Sequence, residues 1–135
     1  MTDAIKLNKN LVLIADDEKE ICNLFVKVSS ANLPGCKIDM AVNGLEAVHA
    51  FEDGHHAVIV MDLHMPVMDG FAAFRKIQSL CAENHIEMPS VIFFTGYMPS
   101  KELQDMVEKT PQHCILKKPV GIKKVVEEIK ARLQI

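Results

Sequence analysis

Runs of consecutive apolar residues alternate along this chain with stretches in which apolar residues recur every three or four positions. The runs include Leu11-Val12-Leu13-Ile14-Ala15, Ala57-Val58-Ile59-Val60-Met61 and Val91-Ile92-Phe93-Phe94. They predict strands buried on both faces, because a strand with one wet face alternates polar and apolar residues. Lys37-Ile38-Asp39-Met40-Ala41 does alternate and reads as a half-exposed edge strand. Cys114-Ile115-Leu116 is a shorter fifth run.

Helices fit between the runs. Ile21, Leu24, Phe25 and Val28 fall on one helical stripe. Phe71, Phe74, Ile77 and Cys81 form another, Leu103, Met106 and Val107 a shorter one, and Val125, Val126, Ile129 and Leu133 the last. A weaker helix, about Leu45 to Glu52, follows the Asn43-Gly44 turn signal. The pattern is five β/α units, an α/β chain with five helices on both faces of a five-stranded parallel sheet. Only the second strand reads as an edge, which selects the order 2-1-3-4-5 of a doubly wound, flavodoxin-like sheet. Ligands of such sheets bind beyond the carboxyl ends of the strands where the order reverses, here between strands 1 and 3.

Bulk properties narrow the functions. A chain of 135 residues with 49% hydrophobic and 24% charged residues suits one globular domain that needs no staples. Residues 1–10 read as a polar leader and 11–135 as the domain. The net charge of −3 with no basic face argues against duplex DNA or an anionic membrane as a direct partner. Cys22, Cys36, Cys81 and Cys114 form no C-x-x-C pair, so they read as reduced thiols and not as a metal or redox motif. No apolar stretch approaches the ~20 residues of a membrane span, and no signal peptide is visible, so the expected location is the cytoplasm. The six histidines lack zinc spacing, and His55-His56 reads as a solvated loop pair.

Polar groups gather at one sheet edge. Strand 1 ends in Asp16-Asp17-Glu18, strand 3 in Asp62, strand 4 in Thr95-Gly96, and strand 5 in Lys117-Lys118-Pro119. Singly, each has a plain structural reading: a helix cap, a turn residue, a loop hydroxyl, a solvated charge. Together they suggest chemistry. Three clustered carboxylates repel one another without a cation. Mg²⁺ suits them, since it takes a few carboxylates and leaves room for phosphate oxygens. A carboxylate can attack phosphorus to form an aspartyl-phosphate, a reaction that needs chiefly positioning and charge neutralisation.

Asp16-Asp17, Asp62-Leu63-His64-Met65-Pro66-Val67-Met68-Asp69-Gly70, Thr95-Gly96 and Lys118-Pro119 resemble the receiver domains of two-component response regulators. The resemblance covers about Leu11 to Leu133. It implies that Asp62 is the phosphoacceptor, and that Asp16, Asp17, Asp62 and the backbone carbonyl of His64 bind Mg²⁺. Thr95 becomes the switch hydroxyl. Lys118, preferred over Lys117 because it directly precedes Pro119, pairs with Asp62 and then with the phosphate. The Lys-Pro bond is often cis in such receivers. One departure stands out: Ile115 occupies the position where these receivers carry a Tyr or Phe that turns inward as the Thr moves. His64 and Tyr97 are expected to hinder the attacking water and lengthen the life of the phosphoryl group.

The implied function is a phosphorylation-controlled switch of a two-component phosphorelay. Its phosphodonor is a histidine kinase or histidine phosphotransfer protein, and its output is a changed surface on helix 4, strand 5 and helix 5 that controls a protein target or attached domain. Pairing of that surface in this family makes a homodimer an expectation. The chain is thus read as a switch and not an enzyme. A Mg²⁺-dependent phosphohydrolase is the runner-up, but the haloacid-dehalogenase type places D-x-D-x-T after strand 1, where this chain has Asp16-Asp17-Glu18. A flavodoxin-like cofactor binder would instead need a phosphate-cradling loop there. Ending just after helix 5 fits a stand-alone receiver or a piece of a longer regulator or hybrid kinase.

Overall fold

The computed structural model describes residues 3–119 and 121–134. The elements run β1 (Asn8–Ala15), α1 (Lys19–Asn32), β2 (Lys37–Ala41), α2 (Gly44–Gly54), β3 (His56–Met61), α3 (Gly70–Asn84), β4 (Ser90–Thr95), α4 (Lys101–Lys109), β5 (Cys114–Lys117) and α5 (Ile122–Leu133). The strands form one parallel sheet in the order β2-β1-β3-β4-β5, so the expected topology and edge strand are found. Met1, Thr2 and Ile135, within the expected leader and domain end, lie outside the described residues. Part of the 1–10 segment is tied to the domain: Ile5 bridges Ile86 in the connection between α3 and β4, and β1 starts at Asn8, before its apolar run.

Alternation along the central strands divides the core. Leu13, Ile59, Met61, Val91 and Phe93 face α2, α3 and α4, where they meet Phe51, Phe74, Ile77 and Leu103. Val12, Ile14, Val58, Val60, Ile92 and Phe94 face α1 and α5, where they meet Phe25, Val125, Val126 and Ile129. Both strand faces are thus dry, which is why these strands read as unbroken apolar runs. Each such side chain contributes about 1.5–3 kcal/mol by its burial.

Two expectations need correction. The stripe of α1 is rotated: Cys22, Phe25 and Ser29 are buried, Ile21 and Val28 pack at the margin, and Leu24 is 48% exposed. Phe25 sets this rotation by packing edge to face on Phe94, and Leu24, one position away, turns about 100° from it. His56 is not a solvated loop residue. It opens β3, is 1% exposed, and its Nε2 lies 2.7 Å from Asp39 Oδ2 of β2. Gly54 makes the room, since a Cβ there would stand 2.6 Å from His56 Cε1.

Candidate functional site

Backbone hydrogen bonds continue the ladder past the strand ends and set the polar residues side by side. Asp16 N–H donates to Ala41 O at 3.0 Å, Asp62 N–H to Ala15 O at 2.9 Å, and Lys118 N–H to Thr95 O at 2.8 Å. The edge where strand order reverses therefore carries Asp16 and Asp62 as neighbours, with Lys118 arriving from beyond β5. The Lys118–Pro119 peptide bond is cis.

Asp16 and Asp62 are buried, at 3% and 5% exposure, whereas Asp17 is exposed. Single carboxylate oxygens of all three lie within 4.8 Å of one another. Lys118 Nζ donates to Asp16 Oδ2 at 3.0 Å and stands 3.5 Å from Asp62 Oδ2. Lys118 was expected beside Asp62; in this structure its shorter bond goes to Asp16. Asp16 Oδ1 accepts the Glu18 N–H at 2.9 Å, so this carboxylate also supports the turn into α1. Lys117, the alternative lysine, is exposed.

The electrostatics follow from this crowding. Burial, and next the Asp16 carboxylate, raises Asp62 above its ordinary pKa against the opposing pull of Lys118. Burial lowers Lys118, but its hydrogen bond to Asp16 and the charges of Asp16 and Asp62 outweigh this, and its pKa is raised. Cys22 lies beneath, with Sγ donating to Asp16 O at 3.4 Å. Burial and the Asp16 charge push this thiol to about 11, so it is protonated and a poor nucleophile. Three carboxylates facing one ammonium leave excess negative charge on hard oxygen donors, a set that fits Mg²⁺ better than a soft metal.

The segment after β3 is shaped to hold Asp62. Asp69 caps α3, its Oδ1 accepting Ala72 N–H at 2.8 Å. Gly70 is forced, because a Cβ would fall 2.0 Å from the Asp62 carbonyl oxygen. Gly44 is forced likewise: its Cβ would fall 2.2 Å from Met68 O, to which its own N–H donates at 2.9 Å. Between them, Met68 N–H donates to Pro66 O at 2.7 Å across Val67, whose φ is 70°. That is a γ-turn of the strained, positive-φ kind. His64 N–H lies 3.4 Å from Asp62 Oδ1.

Thr95, at the end of β4, is fully buried, and its Oγ1 accepts Tyr97 N–H at 3.2 Å. This bond joins the hydroxyl to the loop before α4, a link that sequence position alone did not reveal. Ile115 lies beside Phe93 in the β4–β5 register and packs, half-buried, on the face covered by α2, α3 and α4. It fills core on that face.

Comparisons with known proteins identify the family. The model of the response regulator receiver domain matches residues 12–130. Probable histidine kinase 1 of Oryza sativa subsp. indica is 40% identical over 72 residues, covering 53% of this chain and 7% of that protein. The autoinducer 1 sensor kinase/phosphatase LuxN of Vibrio campbellii is 37% identical over 98 residues, 73% of this chain and 11% of that protein. The chain thus spans only a small part of these curated relatives. Among solved structures, the receiver domain of the Francisella response regulator 1452 superposes with a TM-score of 0.71 at 25% identity, covering 93% of this chain and 97% of that one. With the sheet order, the acidic edge and a family match over nearly the whole length, the chain belongs to the response regulator receiver domains.

Proposed function

We propose that this receiver takes a phosphoryl group from a phosphohistidine donor onto Asp62 and acts through the resulting change in its surface. The observation that carries the reading is the placement of buried Asp62 beside Asp16 at the switch point of the sheet, with the Lys118 ammonium in reach of both carboxylates. In the transfer, an Asp62 carboxylate oxygen bonds to phosphorus as the P–N bond of the donor breaks. The leaving imidazole keeps the electron pair and takes up a proton. Lys118 follows the charge from the carboxylate to the phosphoryl oxygens, and the Thr95 hydroxyl donates to one of them. Asp16, Asp17, Asp62 and the His64 carbonyl would hold Mg²⁺. When bound, the ion supplies the remaining charge neutralisation on the phosphoryl oxygens.

Output follows from Thr95. Drawing its hydroxyl toward the phosphoryl group releases Tyr97 N–H and shifts the loop that leads to α4. The surface of α4, β5 and α5 is then the face that a protein target, an attached domain or a second copy reads. The donor is a histidine kinase or histidine phosphotransfer protein. All four thiols are free, which suits a cytoplasmic setting; among the described residues, no helix is long and apolar enough to cross a membrane.

Incubation with Mg²⁺ and acetyl phosphate, followed by intact mass, tests the reading. One phosphoryl addition is expected, absent in Asp62→Asn and without EDTA-resistant residue. Sustained turnover of phosphoesters would instead place the chain among phosphohydrolases.

A further inference from the structure

An ammonium group has three N–H donors and no acceptor. Two carboxylates lie within reach of Lys118 Nζ, Asp16 Oδ2 at 3.0 Å and Asp62 Oδ2 at 3.5 Å. Its further neighbour is a ring. Nζ stands over the face of Phe94, 5.3 Å from the centroid, inside the roughly 6 Å range of a cation–π contact.

The ring is itself held. Phe94 sits on β4 one residue before Thr95, is 5% exposed, and meets Phe25 of α1 edge to face, with centroids 5.8 Å apart and planes at 83°. It forms a fixed floor between α1 and the Lys118 side chain. A lysine stem is flexible and its ammonium strongly hydrated, so a bare aliphatic floor would let the charge wander among rotamers. A leucine here would fill similar space but present no negative face.

We infer that Phe94 is a positioning residue for phosphoryl transfer, its ring face holding the Lys118 ammonium against Asp16 and Asp62, where the incoming phosphoryl oxygens need it. This rests on reading Asp62 as the phosphoacceptor. Phe94 acts through Lys118: the bond made at the Asp62 oxygen and the bond broken in the donor are unchanged. Phosphoryl transfer depends almost wholly on where the compensating charges stand, so a displaced ammonium lowers the rate even though the site is complete.

Ring electronics can be varied at nearly constant shape by placing phenylalanine with one, two or three ring fluorines at position 94. Fluorine drains negative charge from the ring face. In the full chain with Mg²⁺ and acetyl phosphate, the phosphorylation rate should fall stepwise with fluorine count, and Phe94→Leu should lower it roughly three- to tenfold. In a Lys118→Met background the same series should be flat. A series that is flat while Lys118 is present, with only Phe94→Leu reducing the rate, makes the ring simple packing and overturns the inference. If the parent chain takes up no phosphoryl group, the phosphoacceptor reading fails, and with it the role in transfer. The ring–ammonium contact is decided separately by thermal unfolding in EDTA. A loss of Tm from Phe94→Leu that shrinks when Lys118→Met is already present supports the contact; additive losses overturn it.

Discussion

The His64 and Tyr97 rings lie with centroids 3.8 Å apart and planes tilted by 41°, joining the loop after β3 to the loop after β4. His64 stands two residues beyond Asp62, and Tyr97 two beyond Thr95. A contact between these two loops would hinder water approaching a phosphoryl group on Asp62, although Tyr97 is 59% exposed. Tyr97→Ala should therefore speed loss of the phosphoryl group by roughly three- to tenfold, the scale of a partly removed water barrier. The decay of phosphorylated protein after removal of the donor measures it. An unchanged decay rate would leave the stack without a role in lifetime.

Gly70 offers a sharper test of how the scaffold holds Asp62. At the start of a helix, Gly→Ala ordinarily stabilises by up to about 1 kcal/mol. Here the added Cβ would stand 2.0 Å from the Asp62 carbonyl oxygen, a backbone atom that no side-chain rotation can move. Gly70→Ala should thus destabilise the fold by about 2 kcal/mol or more and sharply slow phosphorylation of Asp62. Urea unfolding and intact mass report the two effects.

Val67 presents the opposite case. A β-branched residue at φ 70° stores strain, and its side chain is 76% exposed, so little burial is lost by removing it. Val67→Gly should raise stability by about 1 kcal/mol after the entropy of the unfolded glycine is counted. The denaturation midpoint should rise with an unchanged slope.

The legible and illegible parts of this molecule divide along physical lines. Strands β1, β3 and β4 were readable because their central residues are dry on both faces, and β2 stood apart as an edge because, of its five residues, only Ala41 is buried. The gathering of these polar groups was readable because strand ends in a parallel sheet collect at one edge, which brings Asp16, Asp62, Thr95 and Lys118 there. Side-chain pairings were not readable. That Lys118 bonds Asp16 more closely than Asp62, or that Leu24 turns outward while Ser29 is buried, depends on rotamers and helix rotation. His56 was misread because its neutral-looking loop position hides a partner, Asp39, on another strand.

His113 gives the chain a pH dependence remote from the acidic edge. It is 3% exposed, accepts Val91 N–H on Nδ1 at 3.0 Å, and meets Phe74 edge to face. Burial, and then Arg132, lowers its pKa from 6.5 to about 4. Below pH 6.5 the unfolded chain takes up a proton that the fold refuses, so stability falls as pH drops toward 4 and is unaffected by this group above 6.5. The loss between neutrality and pH 5 should be about 1–2 kcal/mol. His113→Asn retains an acceptor for Val91 and removes the titration. It should start less stable at neutral pH and show a shallower decline in urea midpoints.

Asp62 itself should cost stability when no metal is bound. At neutral pH it stands with Asp16 and Asp17 around a single ammonium, and two of the three carboxylates are buried. Asp62→Asn keeps the shape and the Oδ1 acceptor facing His64 N–H but removes one charge from that group. In EDTA the variant should therefore be more stable than the parent by about 1 kcal/mol, the relieved repulsion being partly offset by the lost attraction to Lys118. Millimolar Mg²⁺ should reverse the ranking, because the ion binds the folded parent more tightly than the variant and stabilises by mass action. Thermal unfolding of both proteins across a Mg²⁺ series measures the crossing point. If the two curves stayed parallel, Asp62 would not be part of the metal site, and the repulsion would have to be assigned to Asp16 and Asp17 alone.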